Sequence, residues 1–138
     1  MIRLIAYVWL GLVLGVSFLA TPIKFQAESL TLPVALDVGQ TTFHAFGKVE
    51  WALTALLAAA VALARPNLRP ADWILAGLVV AIVAAQTMWL IPRLDVRVAA
   101  IMAGDTPPPS ILHTVYAGAE GVKVVALVLI GAWTANHA

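Results

Sequence analysis

An all-α fold, an integral membrane bundle of four antiparallel helices, follows from three features of this sequence. Hydrophobic residues fill 62% of its 138 positions and charged residues only 11%, with a mean hydropathy of +0.97. A soluble domain carries about 25% charged residues. The apolar residues fall into four stretches separated by proline-rich or charged breaks. Finally, Glu50 and Glu120 sit inside stretches that must cross the bilayer, where a carboxylate is costly and marks a functional site by default.

The stretches are 4–23, 42–64, 71–91 and 110–134. A membrane helix needs about 20 residues at about 1.5 Å each. The first begins after Arg3 and ends Phe18-Leu19-Ala20-Thr21-Pro22, without a small-x-small cleavage site, and is expected to be a retained helix. The second has only 51–64 as an apolar block, about 21 Å of helix, too short to span. Glu50, and with it Lys48, is therefore drawn into the membrane. Asp72 can cap the third helix and Ser110 the fourth, after Pro107-Pro108-Pro109. Residues 65–70, Arg-Pro-Asn-Leu-Arg-Pro, form a tight turn. Pro22 and Pro92 are expected to kink the first and third helices, each continuing as an amphipathic segment along the interface.

The layout repeats. Glu50 and Glu120 are 70 positions apart, as are Pro22 and Pro92, while His44 and His113 are 69 apart. The chain is thus one domain, 1–138, with 1–65 and 71–135 as tandem helical hairpins related by an axis along the membrane normal. Arg3, Arg65 and Arg69 lie on one side, Lys24, Arg93 and Arg97 on the other. The short arginine-rich turn favours both termini in the cytoplasm, with the bacterial inner membrane as the expected location. Trp73 and Trp133 mark that interface, Trp51 and Trp89 the opposite one.

Depth along the helices gathers a polar layer. Glu50 lies about 21–23 Å above Arg65, Gln86 at about the same height above Ala71, and Glu120 about 20 Å above Trp133. Ser17 is comparable and Lys123 one turn deeper. His113, Tyr116, Glu120 and Lys123 form one stripe of the fourth helix. Phe43, Phe46 and Glu50 form the matching stripe of the second, with His44 and Lys48 beside it. Glu50 and Glu120 then face each other across the bundle axis.

Several chemistries suit this layer. Glu50, His113 and Glu120 are a donor set for a divalent metal. Two histidines on symmetry-related helices are the pattern that holds haem from both faces. A Glu–Lys–His chain can relay protons. The structural alternative is a self-satisfied network in which Glu50, Glu120, Lys48 and Lys123 sum to zero charge. Gly11-x-x-x-Gly15 suits close helix approach, within the chain or in a homo-oligomer.

Phe18, Ala20-Thr21-Pro22, Phe25, Ile91-Pro92-Arg93-Leu94-Asp95-Val96-Arg97 and Leu112-His113-Thr114-Val115-Tyr116 resemble a family of small four-helix membrane proteins. It includes the human transmembrane protein linked to cisplatin resistance, and is more distantly similar to the membrane domain of copper-resistance protein D. The resemblance implies a four-helix fold with a Pro-Arg/Asp segment after the third helix and a histidine near the start of the fourth. Pro92, Arg93, Asp95, Arg97 and His113 match it. It implies no particular reaction, and Met1, Met88 and Met102 form no cluster of copper ligands.

The absence of cysteine excludes disulfides and thiol chemistry. No basic cluster points to nucleic acid, and no nucleophile–base pair or phosphate loop points to an enzyme. The expected function is binding of a metal ion, haem or a small polar ligand by Glu50, Gln86, His113, Tyr116, Glu120, Lys123, His44 and Lys48. The alternatives are an accessory subunit of a larger membrane complex and a proton-coupled carrier working as an oligomer.

Overall fold

The computed structural model describes residues 1–64 and 68–133, Trp133 by its backbone alone. Arg65, Pro66 and Asn67 of the expected turn, the side chain of Trp133 and the tail with His137 lie outside the described residues. Four helices carry the chain, each long and apolar enough to cross a bilayer: α1 (Ile2–Lys24), α2 (Leu32–Leu63), α3 (Pro70–Met102) and α4 (Leu112–Trp133). The protein is a multi-pass membrane bundle.

Each helix packs on its sequence neighbours, and α1 closes on α4. This leaves α1 opposite α3, and α2 opposite α4. One apolar core holds Trp9, Val13, Leu53, Leu57, Val79 and Leu127 among others. A smaller one, toward the other end, joins Leu90, Ile91 and Tyr116. The outward faces are equally apolar: Leu4, Leu56, Ile74 and Val125 are all exposed, as a lipid-facing surface requires. Apolar burial therefore does not distinguish inside from outside here. Close packing and interhelical hydrogen bonds hold the bundle instead. Gly131 is one such contact, since a Cβ there would come within 2.7 Å of the Tyr7 ring.

Both prolines sit just past a widened turn. The backbone of α1 is π-helical over Leu14–Ala20 and resumes as α-helix at Thr21–Lys24. That of α3 is π-helical over Gln86–Leu90 and resumes at Ile91–Met102. A proline lacks the N–H and its ring crowds the carbonyl of the preceding turn. A π turn opens the backbone at that point. In α1 the Thr21 hydroxyl also donates to the Val16 carbonyl at 2.8 Å.

Two boundaries differ from the expected ones. Helix α2 starts at Leu32, well before residue 42, with Pro33 in its first turn, where the fixed φ of proline is favourable. Helix α1 ends at Lys24 rather than continuing as an amphipathic segment, whereas α3 runs on through Pro92 to Met102 as expected, because the π turn accommodates the ring. The amphipathic segments therefore belong to α2 in one half and to α3 in the other. The expected caps form: the Asp72 carboxylate accepts from the Arg69 N–H at 2.9 Å, and the Ser110 hydroxyl accepts from the Leu112 N–H at 3.2 Å.

Candidate functional site

The polar layer assembles around one lysine. Lys123 projects from α4 into the bundle with no exposed surface. Its Nζ donates to Glu50 Oε1 of the opposite helix at 2.5 Å and to Glu120 Oε1, one turn away on its own helix, at 2.6 Å. The (i, i+3) spacing puts Glu120 and Lys123 on one face, and the long lysine stem spans the diagonal to α2.

Neutral donors add to the contacts of each carboxylate. Gln86 Nε2 of α3 donates to Glu120 Oε1 at 2.7 Å, and Ser17 Oγ of α1 donates to Glu120 Oε2 at 2.8 Å. Trp9 Nε1 donates to Glu50 Oε1 at 3.0 Å. All four helices thus meet in one network, and Glu50, Gln86 and Glu120 are buried as completely as Lys123. Two buried oxygens beside it, Gln86 Oε1 and Thr54 Oγ1, have no hydrogen-bond partner among the described residues. Thr54 is one turn from Glu50 on α2.

The network is unequal in its titratable groups. It contains two carboxylates and one ammonium. Lys48, which the sequence places near this depth, is exposed and borders a separate surface cavity with His44, Trp51 and Thr87. His44 is likewise outside the layer. Its Nε2 lies 2.8 Å from Asp95 Oδ2, and Gln40 donates to Asp95 Oδ1 at 2.9 Å, so the two fasten α2 to α3 near the mouth of the bundle.

His113 and Tyr116 remain with Glu120. Tyr116 is buried with its ring edge-on to Phe43, centroids 4.9 Å apart. A cavity of about 50 Å³ is lined by Ser17, Thr21, Phe43, His113, Tyr116 and Glu120. Next to it, a cavity of about 70 Å³ shares Thr21, Phe43 and His113 and is also lined by Lys24 and Asp95. The outer space lies at the end of α1 and the inner one at Glu120, with these shared residues between them.

A metal or haem fits this arrangement poorly. Among the described residues no three His, Asp or Glu side chains are grouped so as to hold a metal ion. Glu50 and Glu120 do converge, but on Lys123, whose ammonium holds the place a cation would take. His44 and His113 border different cavities, and the inner space is far smaller than a porphyrin.

Trp9 is the member that sequence reasoning missed. Tryptophans concentrate at membrane interfaces, yet Trp9 lies well inside its helix. A buried indole N–H requires an acceptor, and that requirement is the signal that would have found it. Comparison with family models, curated proteins and solved structures finds no match for the chain.

Proposed function

We propose that this chain is a membrane protein that binds a small, positively charged polar molecule against Glu120, in the cavity between Glu120 and His113. One observation carries the reading: a buried network with one carboxylate more than ammonium borders an internal cavity. A charge left unbalanced in a low-dielectric interior is strongly unfavourable. A bound molecular cation supplies the missing charge. Ser17, Thr21 and Tyr116 offer hydroxyl groups around it.

The wider assignments belong to the same proposal. The bacterial inner membrane is the location, with both termini cytoplasmic. The two hairpins descend from a duplication, supported by π turns that end at Ala20 and Leu90, 70 positions apart like the prolines. Membership of the cisplatin-resistance-associated four-helix family is supported by the placing of its shared residues. Arg93 stacks 4.4 Å from the Trp89 ring, Asp95 accepts from Gln40, Arg97 donates to the Pro108 carbonyl, and His113 lines both cavities. All gather at the mouth of the bundle.

The test uses purified full-length protein in a neutral maltoside detergent, with thermal unfolding measured against ammonium and methylammonium chloride. Sodium chloride controls for ionic strength. The wild type is expected to gain stability with one of the two, as a ligand that binds only the folded state requires, and Glu120→Gln is expected to lose that gain. No gain beyond sodium chloride for either salt overturns the reading. The second reading is an accessory subunit whose polar layer only fixes helix register. It is favoured by the number of hydrogen bonds closed within the network, and predicts no such gain.

A further inference from the structure

The outer cavity carries a cation that the network at Glu120 does not use. Lys24 is the last residue of α1, partly buried, and its ammonium turns into the bundle mouth. Among the described residues no carboxylate pairs with it. Its Nζ lies 5.1 Å from the centroid of the Phe25 ring and 5.9 Å from that of Phe43. Gly39 of α2 makes this position accessible: a Cβ there would overlap the Lys24 ammonium. The one acidic residue in the wall among the described residues, Asp95, is already engaged by Gln40 and His44. His113 is the remaining titratable group in the wall. Apart from Thr21 and Gln40 the rest of the lining is apolar, including Leu36, Ile91, Leu94 and Val98.

We infer that this cavity binds the carboxylate of a single-tailed amphiphile, such as a long-chain fatty acid, with Lys24 as the anchor. An unpaired ammonium attracts an anion, and aromatic and aliphatic walls select one with apolar carbons attached. The place suits it as well. Lys24 ends a membrane-crossing helix, at the depth where a fatty acid carries its head group. The space, about 70 Å³, is several times the roughly 10–15 Å³ that one water needs. It takes a carboxylate and its first carbons rather than a phosphodiester with its glycerol. The site is independent of the cation reading at Glu120.

The experiment titrates the full chain in neutral detergent with oleate, oleyl alcohol, acetate and phosphatidylglycerol, followed by native mass spectrometry. Oleate is expected to bind at least about tenfold more tightly than oleyl alcohol, the scale of one charge-assisted contact. Acetate, which lacks the tail, is expected not to bind. Lys24→Gln should remove the preference for oleate, Lys24→Arg should keep most of it, and Gly39→Ala should weaken it by displacing the ammonium. Glu120→Gln should leave oleate binding unchanged, which separates this site from the inner one. Equal binding of oleate and oleyl alcohol, or a Lys24→Gln variant that keeps the preference, overturns the proposal. So does phosphatidylglycerol binding as tightly as oleate, because the head group recognised is then a phosphate.

Discussion

Glu50 and Glu120 occupy corresponding places on opposite helices and share one lysine, yet their surroundings differ. Glu50 is held by Trp9 and Lys123 within the packed bundle. Glu120 is held by Ser17, Gln86 and Lys123, and borders the inner cavity. The first carboxylate fixes the lysine from across the bundle, and the second, equally buried, lines the inner cavity. A pair that looks symmetric along the chain thus divides into an anchoring member and a cavity-lining one.

The most disruptive way to break this comparison is to remove what the two share. Lys123→Met leaves two carboxylates buried without their common donor. An uncompensated buried charge costs about 3–5 kcal/mol. Unfolding in mixed micelles should show a loss of that order, and Lys123→Met combined with Glu50→Gln and Glu120→Gln should recover most of it. A single variant as stable as wild type would mean the lysine is not the centre of the network.

The two glutamines come next. Either change leaves one carboxylate on Lys123, so neither should unfold the protein. Either variant removes the excess negative charge, so both are expected to lessen the stabilisation by ammonium or methylammonium, and Glu120→Gln to lessen it more, because its carboxylate is the one that lines the cavity. Equal loss in both variants would end the distinction between anchor and site.

The neutral donors should show a smaller difference. Trp9→Phe removes a hydrogen bond to a charged acceptor, worth about 1.5–3 kcal/mol. Ser17→Ala is expected to cost less, about 0.6–1.7 kcal/mol, the range of interhelical bonds in membranes, because the cavity beside Glu120 gives water access. Thermal unfolding of the two variants, compared side by side, checks the order. The smallest effect belongs to the mouth. His44→Gln removes a contact whose histidine side chain is 51% exposed, and a surface pair of this kind contributes about 0–1 kcal/mol. A larger loss on unfolding would make the His44–Asp95 contact more than a surface clasp.

The spans and the composition of the layer were legible because the bilayer applies such a strict filter. A glutamate, a glutamine or a lysine at the depth of Glu50, Gln86, Glu120 and Lys123 stands out in an apolar background, and length alone places it. Direction around the helix was harder to use. Lys48 is two residues from Glu50, about 200° around the helix, so a similar depth does not put it on the same face. Counting it in made the network look neutral. Trp9 was hidden by a rule that sends tryptophan to the interface. The start of α2 was obscured by the mixed character of residues 32–40, although Pro33 marks a first turn. The continuation of α3 past Pro92 was legible in the amphipathic run that follows it, whereas the π turn that carries it was not, since Gln86–Leu90 reads as an ordinary membrane turn.

The widened turn at Leu14–Ala20 sets the phase of everything beyond it. A wider turn takes up more residues than an α turn, so later side chains point in other directions than an unbroken α-helix would give them. Each residue in an α-helix advances the direction by about 100°. Deleting one residue within 14–20 would restore the ordinary winding and swing Thr21 and Lys24 together by about that angle. The lower part of α1, with Trp9 on Glu50, would keep its alignment. Both cavities would lose a wall residue at once, and the outer one its cation. One local irregularity therefore acts as the index mark for two neighbouring sites, in the way a single slipped tooth resets every later position on a gear.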